Sequence, residues 1–316
     1  MKVLITGMAG FIGSNLAKHL SSKKIGVIGI DNFHPYYDTR IKKHNLEKVQ
    51  KNSLVEFIEG DINDQTTFQK LKGKNITHIV HLAARAGVRN SSEEAKEYLK
   101  TNIIGTLNVL EFAKEIKAKK VVLASTSSVY GKNQVPFNEE MNTNTPMSIY
   151  AASKIGMEAL ANAFNHLYGL PIIITRFFTV YGPGGRPDMA VYTFVEKILK
   201  GKEIEVYGNG DEKRDFTYVE DICEGIFLAL QTKKTYGIYN LGNSESRTIN
   251  ELISIIEKNL GKKAKIQYVG KKKEDVEITL ADISKAKAEL GYSPNTRLEE
   301  GITKFIEWFK NEINEG

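Results

Sequence analysis

The sequence predicts an α/β protein with a doubly wound parallel sheet and a smaller second lobe. Short apolar segments of strand character alternate with stretches of helical periodicity along most of the 316 residues. The first strand is joined to its helix by three closely spaced glycines, within residues 7–13. Glycines and prolines then cluster at residues 182–187, where the alternation is interrupted and the chain is expected to leave the sheet.

The composition is that of an ordinary globular protein, with 41% hydrophobic and 26% charged residues. The net charge of +6, from 44 basic and 38 acidic residues, is spread along the chain. This spread favours a soluble protein over a nucleic-acid binder. The single cysteine, Cys223, excludes an internal disulfide, and no apolar run reaches the roughly 20 residues of a membrane span. We therefore expect a cytoplasmic protein with no membrane segment, and the histidines show no metal-ligand spacing.

The N-terminal strand, Lys2–Thr6, runs into the turn Gly7-x-x-Gly10-x-x-Gly13 and then into a helix, Ser14–Leu20. Gly7 permits the tight turn, and Gly13 allows close packing of the helix on the sheet. Gly10 has no side chain to exclude a pyrophosphate from the positive end of the helix. Strand, glycine turn and helix in this order predict a dinucleotide-binding unit, although the spacing is GxxGxxG rather than GxGxxG.

The ends of the next strands carry residues suited to the rest of a dinucleotide. The second strand, Gly26–Ile30, ends at Asp31, which accepts hydrogen bonds from an adenosine ribose and repels a 2′-phosphate, so NAD is favoured over NADP. The third strand, Val55–Ile58, leads to Asp61, within reach of the adenine. The fourth, His78–Leu82, ends in small residues that allow close approach of a cofactor. The predicted contacts are Asp31, Asn32, Asp61, Ile62, Leu82, Ala83 and Ala84.

The fifth strand, Val121–Ala124, is followed by four hydroxyl-bearing residues, 125–128. Tyr150 and Lys154 then stand four residues apart, on one face of a helix predicted over Ser148–Tyr168. A phenol beside a fixed ammonium ionises more readily, so Lys154 is expected to lower the pKa of Tyr150 and make it a base at neutral pH. Taken alone, the pair has a second interpretation, as two surface residues.

The second half of the chain is predicted to leave the sheet and return. After the strand Ile172–Arg176, the segment 184–214 crosses to a second lobe, and a strand and helix follow from Asp215 to Leu230. A strand, Ile238–Gly242, and two amphipathic helices complete the chain. We predict a Rossmann-type NAD-binding domain of residues 1–180, to which 215–242 return, and a smaller C-terminal α/β lobe of residues 181–214 and 243–316.

A series of short motifs occurs in order: Thr6-Gly7-x-x-Gly10-Phe11-Ile12-Gly13, Asp31-Asn32, Gly60-Asp61-Ile62, His81-Leu82-Ala83-Ala84, Ser125-Thr126-Ser127-Ser128-Val129-Tyr130-Gly131, Tyr150-x-x-x-Lys154, Arg176-Phe177-Phe178-Thr179-Val180-Tyr181-Gly182-Pro183 and Arg214-Asp215-Phe216-Thr217-Tyr218-Val219. Together they resemble the extended short-chain dehydrogenase/reductase family, and within it the nucleotide-sugar 4-epimerases. Two longer stretches, 31–38 and 182–190, are similar to UDP-glucuronate 4-epimerases in particular.

The resemblance implies transient oxidation of a UDP-sugar at C4, with NAD as the cofactor. Tyr150 takes the proton of the 4-hydroxyl group, Thr126 hydrogen-bonds the same oxygen, and Lys154 holds the nicotinamide ribose. Hydride returns to the other face of the sugar after the sugar has turned, so tightly retained NAD is expected.

The hydroxyl groups after the fifth strand distinguish related reactions. Similar 4,6-dehydratases carry Asp-Glu where this chain has Ser127 and Ser128, and UDP-glucuronate decarboxylases carry a glutamate at the second position. Hydroxyl groups there imply that the ketone is simply reduced again. We also predict that Ser127, Ser128 and Thr179, with Thr126, bind the substrate carboxylate and hold it away from the orientation that favours loss of CO2.

Three arginines, Arg89, Arg186 and Arg214, are predicted to bind the anionic substrate, because guanidinium groups suit phosphate and carboxylate. Arg214 matches the family's contact with the diphosphate. Asp275 matches its contact with the uridine ribose, although residues 272–274 depart from the family pattern.

Other functions stay open at this point. UDP-glucose or UDP-N-acetylhexosamine is the alternative substrate; both differ from UDP-glucuronate only at C6 or C2. A UDP-glucuronate decarboxylase fits less well because of Ser128. A non-catalytic NAD-binding regulator also fits less well, since Tyr150 and Lys154 are both present. The resemblance further implies a homodimer, formed through helices near 93–113 and 148–168.

Overall fold

The computed structural model describes residues 1–271 and 276–313. Its strands are β1 Lys2–Thr6, β2 Gly26–Asp31, β3 Val55–Glu59, β4 His78–His81, β5 Lys120–Thr126, β6 Ile172–Phe177, β7 Thr179–Tyr181, β8 Glu203–Tyr207, β9 Lys213–Tyr218, β10 Tyr236–Leu241, β11 Ser246–Thr248 and β12 Lys265–Val269. Seven of them form a parallel sheet in the order β10-β6-β5-β4-β1-β2-β3. The predicted α/β fold with a doubly wound parallel sheet is confirmed.

The α-helices are α1 Phe11–Ser22, α2 Thr39–Gln50, α3 Gln65–Leu71, α4 Ala95–Leu99, α5 Gly105–Glu115, α6 Ile149–Tyr168, α7 Ala190–Leu199, α8 Val219–Gln231, α9 Ile249–Leu260, α10 Ser284–Leu290 and α11 Leu298–Glu312. A π-helical segment, Lys100–Ile104, joins α4 to α5, and a 3₁₀ turn, Ser127–Tyr130, follows β5. This π segment lies within the helical region predicted near 93–113.

Helices cover both faces of the central sheet, so β5 and β6 are buried along their whole length. One hydrophobic core lies between the sheet and helices α1 and α8. A second lies between the sheet and helices α5 and α6. Strand β5 is longer than predicted because Ser125 and Thr126 continue its pairing with β6, opposite Arg176 and Phe177.

The smaller lobe has a three-stranded sheet, β11-β9-β7, a two-stranded sheet, β12-β8, and a core of its own. Two of its boundaries differ from the predicted ones. Phe216 and Tyr218 pack in this core because β9 pairs with β7 and β11 rather than with the central sheet. Leu290 and Tyr292 pack instead against the core of the central sheet. Strand β10 lies in the central sheet, beside β6.

The order of the central strands positions the functional site. The chain runs outward from β1 through β2 to β3, then crosses to the other side of β1 and continues through β4, β5 and β6. Ligands of open α/β sheets bind at the carboxyl ends of the strands where the order reverses. In this protein that crevice faces the smaller lobe.

Candidate active site

One cavity of about 870 Å³ lies at the carboxyl ends of the central strands, between the sheet and the smaller lobe. The predicted residues that line it are Gly7, Gly10, Phe11, Ile12, Gly13, Asp31, Asn32, Asp61, Ile62, Leu82, Ala83, Ala84, Arg89, Thr126, Ser127, Ser128, Tyr150, Lys154, Thr179, Arg186 and Arg214. Asp275 lies outside the described residues, so its contact with a uridine ribose stays a prediction. Residues from distant parts of the chain are thus brought into one space.

The glycine turn has the geometry of a dinucleotide cradle. Gly7 has φ of +73°, and a Cβ atom there would stand 2.8 Å from the backbone nitrogen of Ala83. A Cβ atom on Gly13 would lie 2.2 Å from the carbonyl oxygen of Gly7, so only glycine allows α1 to approach the turn this closely. Gly10 is the N-cap of α1, and a Cβ atom there would meet only the Gly7 oxygen, at 3.2 Å. The positive end of α1 therefore opens into the cavity, as pyrophosphate binding requires.

Asp31 is 7% exposed, and two backbone groups fix its carboxylate. Its oxygens accept hydrogen bonds from the nitrogens of Ala9 (3.2 Å) and Phe33 (2.9 Å), and the Lys42 ammonium lies 3.8 Å away. The carboxylate therefore ties the glycine turn to the loop that follows β2, and it faces the cavity.

The adenine end of the predicted cofactor site contains a second polar cluster. Asn32 donates a hydrogen bond to Asp61 at 2.9 Å, and Asp61 accepts another from the Asn63 nitrogen at 2.7 Å. The side-chain oxygen of Asn63 is buried and has no hydrogen-bond partner among residues 1–271 and 276–313. A purine amino group is a donor that fits this free acceptor, so the residues present suit a dinucleotide.

Tyr150 is the second residue of α6, which begins at the capping residue Ser148. Thr126, at the end of β5, is near enough to the phenol of Tyr150 to affect its pKa. Burial raises the pKa of Tyr150, and the Thr126 side chain and the positive charge of Arg186 lower it by less. The pKa of Tyr150 is therefore raised above its ordinary value, and Thr126 and Arg186 are the groups that favour its ionised form.

Lys154 is only 4% exposed, and its ammonium donates a hydrogen bond to the Ala124 carbonyl at 2.8 Å. Burial lowers the pKa of Lys154 to about 8, and the negative charge of Glu158 opposes that effect. Sequence reasoning expects Lys154 to lower the pKa of Tyr150. In the structure the charge of Arg186 also lowers this pKa, and the Lys154 ammonium donates to the backbone of β5. An effect of Lys154 on the phenol stays a prediction.

Glu158 forms a buried ion pair one helical turn beyond Lys154. Its oxygens accept hydrogen bonds from Arg176 at 3.0 and 2.7 Å, and the two side chains are 8% and 3% exposed. Ser125 donates a third hydrogen bond to Glu158, at 2.5 Å. This buried group joins α6 to the ends of β5 and β6, which carry the catalytic candidates.

The four hydroxyl-bearing residues 125–128, at the end of β5 and directly after it, divide into two sets. Ser125 is 3% exposed and its hydroxyl is used inside the fold, by Glu158. Thr126 accepts a hydrogen bond from the Ser128 nitrogen at 3.1 Å and donates one to the Ser128 hydroxyl at 3.2 Å. Ser127 lines the same end of the cavity, together with Thr179 on β7. These hydroxyl groups form the polar wall beside Tyr150.

The three predicted arginines enter the cavity from different elements. Arg186 forms two hydrogen bonds with Asp188, at 3.0 and 2.5 Å. Arg214, on β9, donates to the carbonyl of its neighbour in the chain at 2.9 Å. The guanidinium carbon of Arg89 lies 4.1 Å from the centre of the Tyr207 ring, so this contact bridges the NAD-side loop and the smaller lobe. The cavity thus presents cationic groups to an anionic ligand on both sides.

His81 links the glycine turn to the helices through hydrogen bonds whose direction can be assigned. The hydroxyl oxygen of Thr6 accepts from the nitrogens of Leu82 (3.2 Å) and Ala83 (3.1 Å). Its own hydrogen is therefore directed to His81 Nδ1, at 2.7 Å. His81 Nε2 then donates to the Thr106 hydroxyl at 2.9 Å.

Asn102, in the π segment, is 1% exposed and holds the loop beyond β4. It accepts from the nitrogen of Arg85 (2.8 Å) and donates to the Arg85 carbonyl and to Ser153, both at 2.9 Å. Ser153 in turn donates to the Tyr150 carbonyl at 2.7 Å. The π segment therefore connects the cavity loop to the helix that carries Tyr150, and such segments often lie near functional sites.

Sequence reasoning missed several residues that line the cavity. Tyr36, Lys42 and Arg85 all face it, and Lys42 is held by the His34 carbonyl at 3.0 Å. The run of aromatic and charged residues at 33–38 was the available signal, because such a run next to a cofactor strand is unusual for a plain loop. No local pattern indicates what those side chains contact.

No metal site was predicted from the sequence. Among residues 1–271 and 276–313, no group of three or more His, Cys, Asp or Glu side chains is placed to hold a metal ion. Within the same described ranges, no helix combines the length and the apolar character of a membrane span.

Comparison with known proteins agrees with this arrangement. A family model described as GDP-mannose 4,6 dehydratase matches residues 4–305. The chain belongs to this family of extended short-chain dehydrogenases/reductases. It is 44% identical to a UDP-glucuronate 4-epimerase of Thermodesulfobacterium geofontis, over 98% of this chain and 96% of the other.

Two solved structures extend the comparison. A UDP-glucuronic acid 4-epimerase of Bacillus cereus, in complex with UDP-glucuronic acid and NAD, is 37% identical with a TM-score of 0.93, and the match covers 98% of this chain and 99% of that one. A UDP-glucose 4-epimerase of Thermotoga maritima is 32% identical with a TM-score of 0.89, over 98% and 99% of the two chains. The chain thus shares its fold with a UDP-glucuronic acid 4-epimerase and with a UDP-glucose 4-epimerase.

Proposed function

We propose that the protein is an NAD-dependent epimerase that converts UDP-glucuronate to UDP-galacturonate by inverting C4. One observation carries the proposal: Tyr150, Thr126 and Lys154 share a cavity with the glycine turn, and hydroxyl groups rather than acids stand at positions 127 and 128. The similarity to UDP-glucuronate 4-epimerases over the full described fold supports the choice of sugar.

The residues divide the chemistry among them. Tyr150 removes the proton from the 4-hydroxyl group and returns it, while Thr126 hydrogen-bonds the reacting oxygen. Lys154, fixed by the Ala124 carbonyl, is placed to hold the nicotinamide ribose. NAD, when bound, supplies the hydride acceptor at C4 and gives the hydride back. Asp31 and the glycine turn hold the adenosine and pyrophosphate.

The substrate side combines hydroxyl groups with arginines. Ser127, Ser128 and Thr179 are suited to bind the carboxylate, because each contributes a hydroxyl donor at the polar wall beside Tyr150. Arg214 and Arg89 are suited to bind the diphosphate. A carboxylate held in one orientation keeps the keto acid from losing CO2, so the same hydroxyl groups protect the sugar.

Turnover in deuterated water tests this function directly. Purified protein is incubated with UDP-glucuronate in D2O, without added NAD, and the sugar protons are followed by NMR. We expect UDP-galacturonate with hydrogen, not deuterium, at C4, because the hydride never exchanges with solvent. Deuterium at C5 would contradict the mechanism. A pentose product would show that the hydroxyl wall does not protect the carboxylate, and turnover of UDP-glucose alone would replace the proposed substrate.

We also propose that the protein is a homodimer, formed through α6 and the segment from α4 to the π helix. Large apolar side chains on these elements are exposed: Leu99 43%, Ile104 50%, Ile149 36%, Leu167 66% and Tyr168 52%. The two elements lie side by side, so the exposed side chains belong to one apolar surface. Burying it against a second copy removes this surface from water.

Sedimentation tests the dimer. The chain of 35.4 kDa is expected to sediment as a dimer. Ile104→Glu is expected to give a monomer, because it introduces a charge into the apolar surface. Leu54→Glu is the matched control, since Leu54 is 40% exposed but lies elsewhere, before β3. A monomeric native protein, or equal effects of the two changes, would contradict this interface.

A cytoplasmic location remains part of the proposal. Cys223 is buried with a free thiol, and burial raises its pKa, which suits a protein that does not depend on an oxidising compartment.

A further inference from the structure

Tyr36 lies in a loop, residues 32–38, that the structure holds firmly over the cavity. The backbone nitrogen of Tyr36 donates to the His34 carbonyl at 2.8 Å, and the Lys42 ammonium donates to the same carbonyl at 3.0 Å. Asp38 ends the loop by accepting from the Arg40 nitrogen at 2.9 Å, as the N-cap of α2. The backbone position of Tyr36 is therefore fixed by contacts on both sides of it.

Two guanidinium groups lie near the ring of Tyr36. Its centre lies 5.2 Å from the guanidinium carbon of Arg85 and 5.2 Å from that of Arg186. Its hydroxyl group lies so close to Gly87 that a Cβ atom there would meet it at 3.0 Å. The π electrons of the ring attract each of the two guanidinium groups.

Each arginine also forms an ion pair with an acidic side chain. Arg85 is paired with Glu94 and contacts the His34 ring at 3.0 Å. Arg186 is only 17% exposed and is paired with Asp188. The Asp188 pair and the contact with the Tyr36 ring both restrain the guanidinium group. Removal of the ring leaves the guanidinium group without the second of these contacts.

Arg186 acts on the catalytic tyrosine. Its charge lowers the pKa of Tyr150, and the charged or titratable side chains that surround it are Asp188, Tyr36, Tyr37, Lys42, Arg85, Tyr98 and Tyr150. Tyr98 also packs edge-on to the Tyr150 ring, at 6.2 Å between centres. A displacement of the guanidinium group therefore changes the pKa of the Tyr150 phenol.

We propose that Tyr36 is a positioning residue of the active site, which holds the Arg186 guanidinium group in the part of the cavity that Tyr150 occupies. The proposal rests on the proposed role of Tyr150 as the base. Tyr36 itself does not act on the sugar. It works through Arg186, and its working part is the ring face rather than the hydroxyl group.

A double-mutant cycle tests this dependence, with kcat/KM for UDP-glucuronate as the readout. Tyr36→Leu is expected to lower kcat/KM by about tenfold in the native protein, the scale of a desolvated contact between a cation and a ring. In the Arg186→Gln background the same change is expected to cost less than about twofold, because the group that it positions is already gone. Tyr36→Phe is expected to stay within about twofold of the native value, since it keeps the ring.

The pH profile provides a readout that a general loss of structure does not move. Displacing a cation from Tyr150 raises the pKa of the phenol, so the acid limb of kcat/KM is expected to move to higher pH in Tyr36→Leu and in Arg186→Gln alike. Tyr268→Leu is the control, because Tyr268 is a 53% exposed tyrosine outside the cavity lining.

Three outcomes would overturn the proposal. Equal losses from Tyr36→Leu in both backgrounds would show that Tyr36 acts independently of Arg186. A loss in Tyr36→Phe as large as in Tyr36→Leu would assign the effect to the hydroxyl group. An unchanged pH profile in Tyr36→Leu would remove the link to Tyr150. A fully active Tyr150→Phe protein would instead refute the proposed function itself, so the two failures are distinguishable.

Discussion

Replacing Tyr150 with phenylalanine is expected to lower kcat by about a thousandfold, within the range that positioned acid–base groups contribute. The change removes the oxygen that takes the proton from the 4-hydroxyl group and leaves the ring, its edge-on contact with Tyr98 and the start of α6 in place. The measurement is the initial rate of epimer formation by NMR. Bound NAD, measured after gel filtration, is expected to stay at the native level, because the glycine turn and Asp31 are untouched.

Tyr236→Phe is the matched control for this loss. Tyr236 also carries a partly buried phenol, but it lies on β10 and does not line the cavity. Its activity is expected to equal that of the native protein. A Tyr150→Phe protein that retains native activity, or a control that loses as much, would refute the role of Tyr150 as the base.

Replacing Glu158 with glutamine is expected to lower the free energy of unfolding by about 3–5 kcal/mol, the cost of leaving one member of a buried ion pair without its partner. The Arg176 guanidinium group is 3% exposed and has no other carboxylate among its hydrogen-bond partners in the described ranges. Ser125 loses a charged acceptor at the same time. Chemical denaturation followed by circular dichroism measures the change.

Glu196→Gln provides the comparison, because Glu196 is paired with Lys200 at 2.7 Å but the two side chains are 34% and 47% exposed. An exposed pair of this kind contributes about 0–1 kcal/mol, so its loss is expected to be barely measurable. If the two substitutions lower the free energy of unfolding equally, the buried Glu158 pair stabilises the fold no more than an exposed pair does.

The cofactor side of the cavity was predictable because its determinants are local in sequence. The glycine turn lies between a strand and a helix that are contiguous with it, and Asp31 is the last residue of β2. Tyr150 and Lys154 share one helix, so their spacing alone places them on one face. Parallel strands then bring these separate ends to a single edge of the sheet.

The remaining features depend on contacts between distant residues, which no local pattern encodes. Tyr36 meets Arg186 only because the smaller lobe folds back over the loop after β2. Likewise, Ser125 belongs to the fold rather than to the hydroxyl wall because Glu158 reaches it from α6. The effect of Arg186 on the pKa of Tyr150 was not predicted for the same reason: Lys154 is near Tyr150 in sequence, whereas Arg186 is distant.

The hydrogen bonds through His81 run in one direction, from Thr6 through the ring to Thr106. This arrangement affects the stability of the protein as well as the active site. The ring is locked as the Nε2–H tautomer, and burial, with a smaller effect from the Lys154 charge, lowers its pKa from 6.5 to about 3. In the unfolded chain this histidine binds a proton below pH 6.5. In the folded chain it binds the proton only below about pH 3. Stability therefore declines as the pH falls through that interval. The buried His81 that supports the glycine turn thus makes the free energy of unfolding of the whole protein decrease in acid.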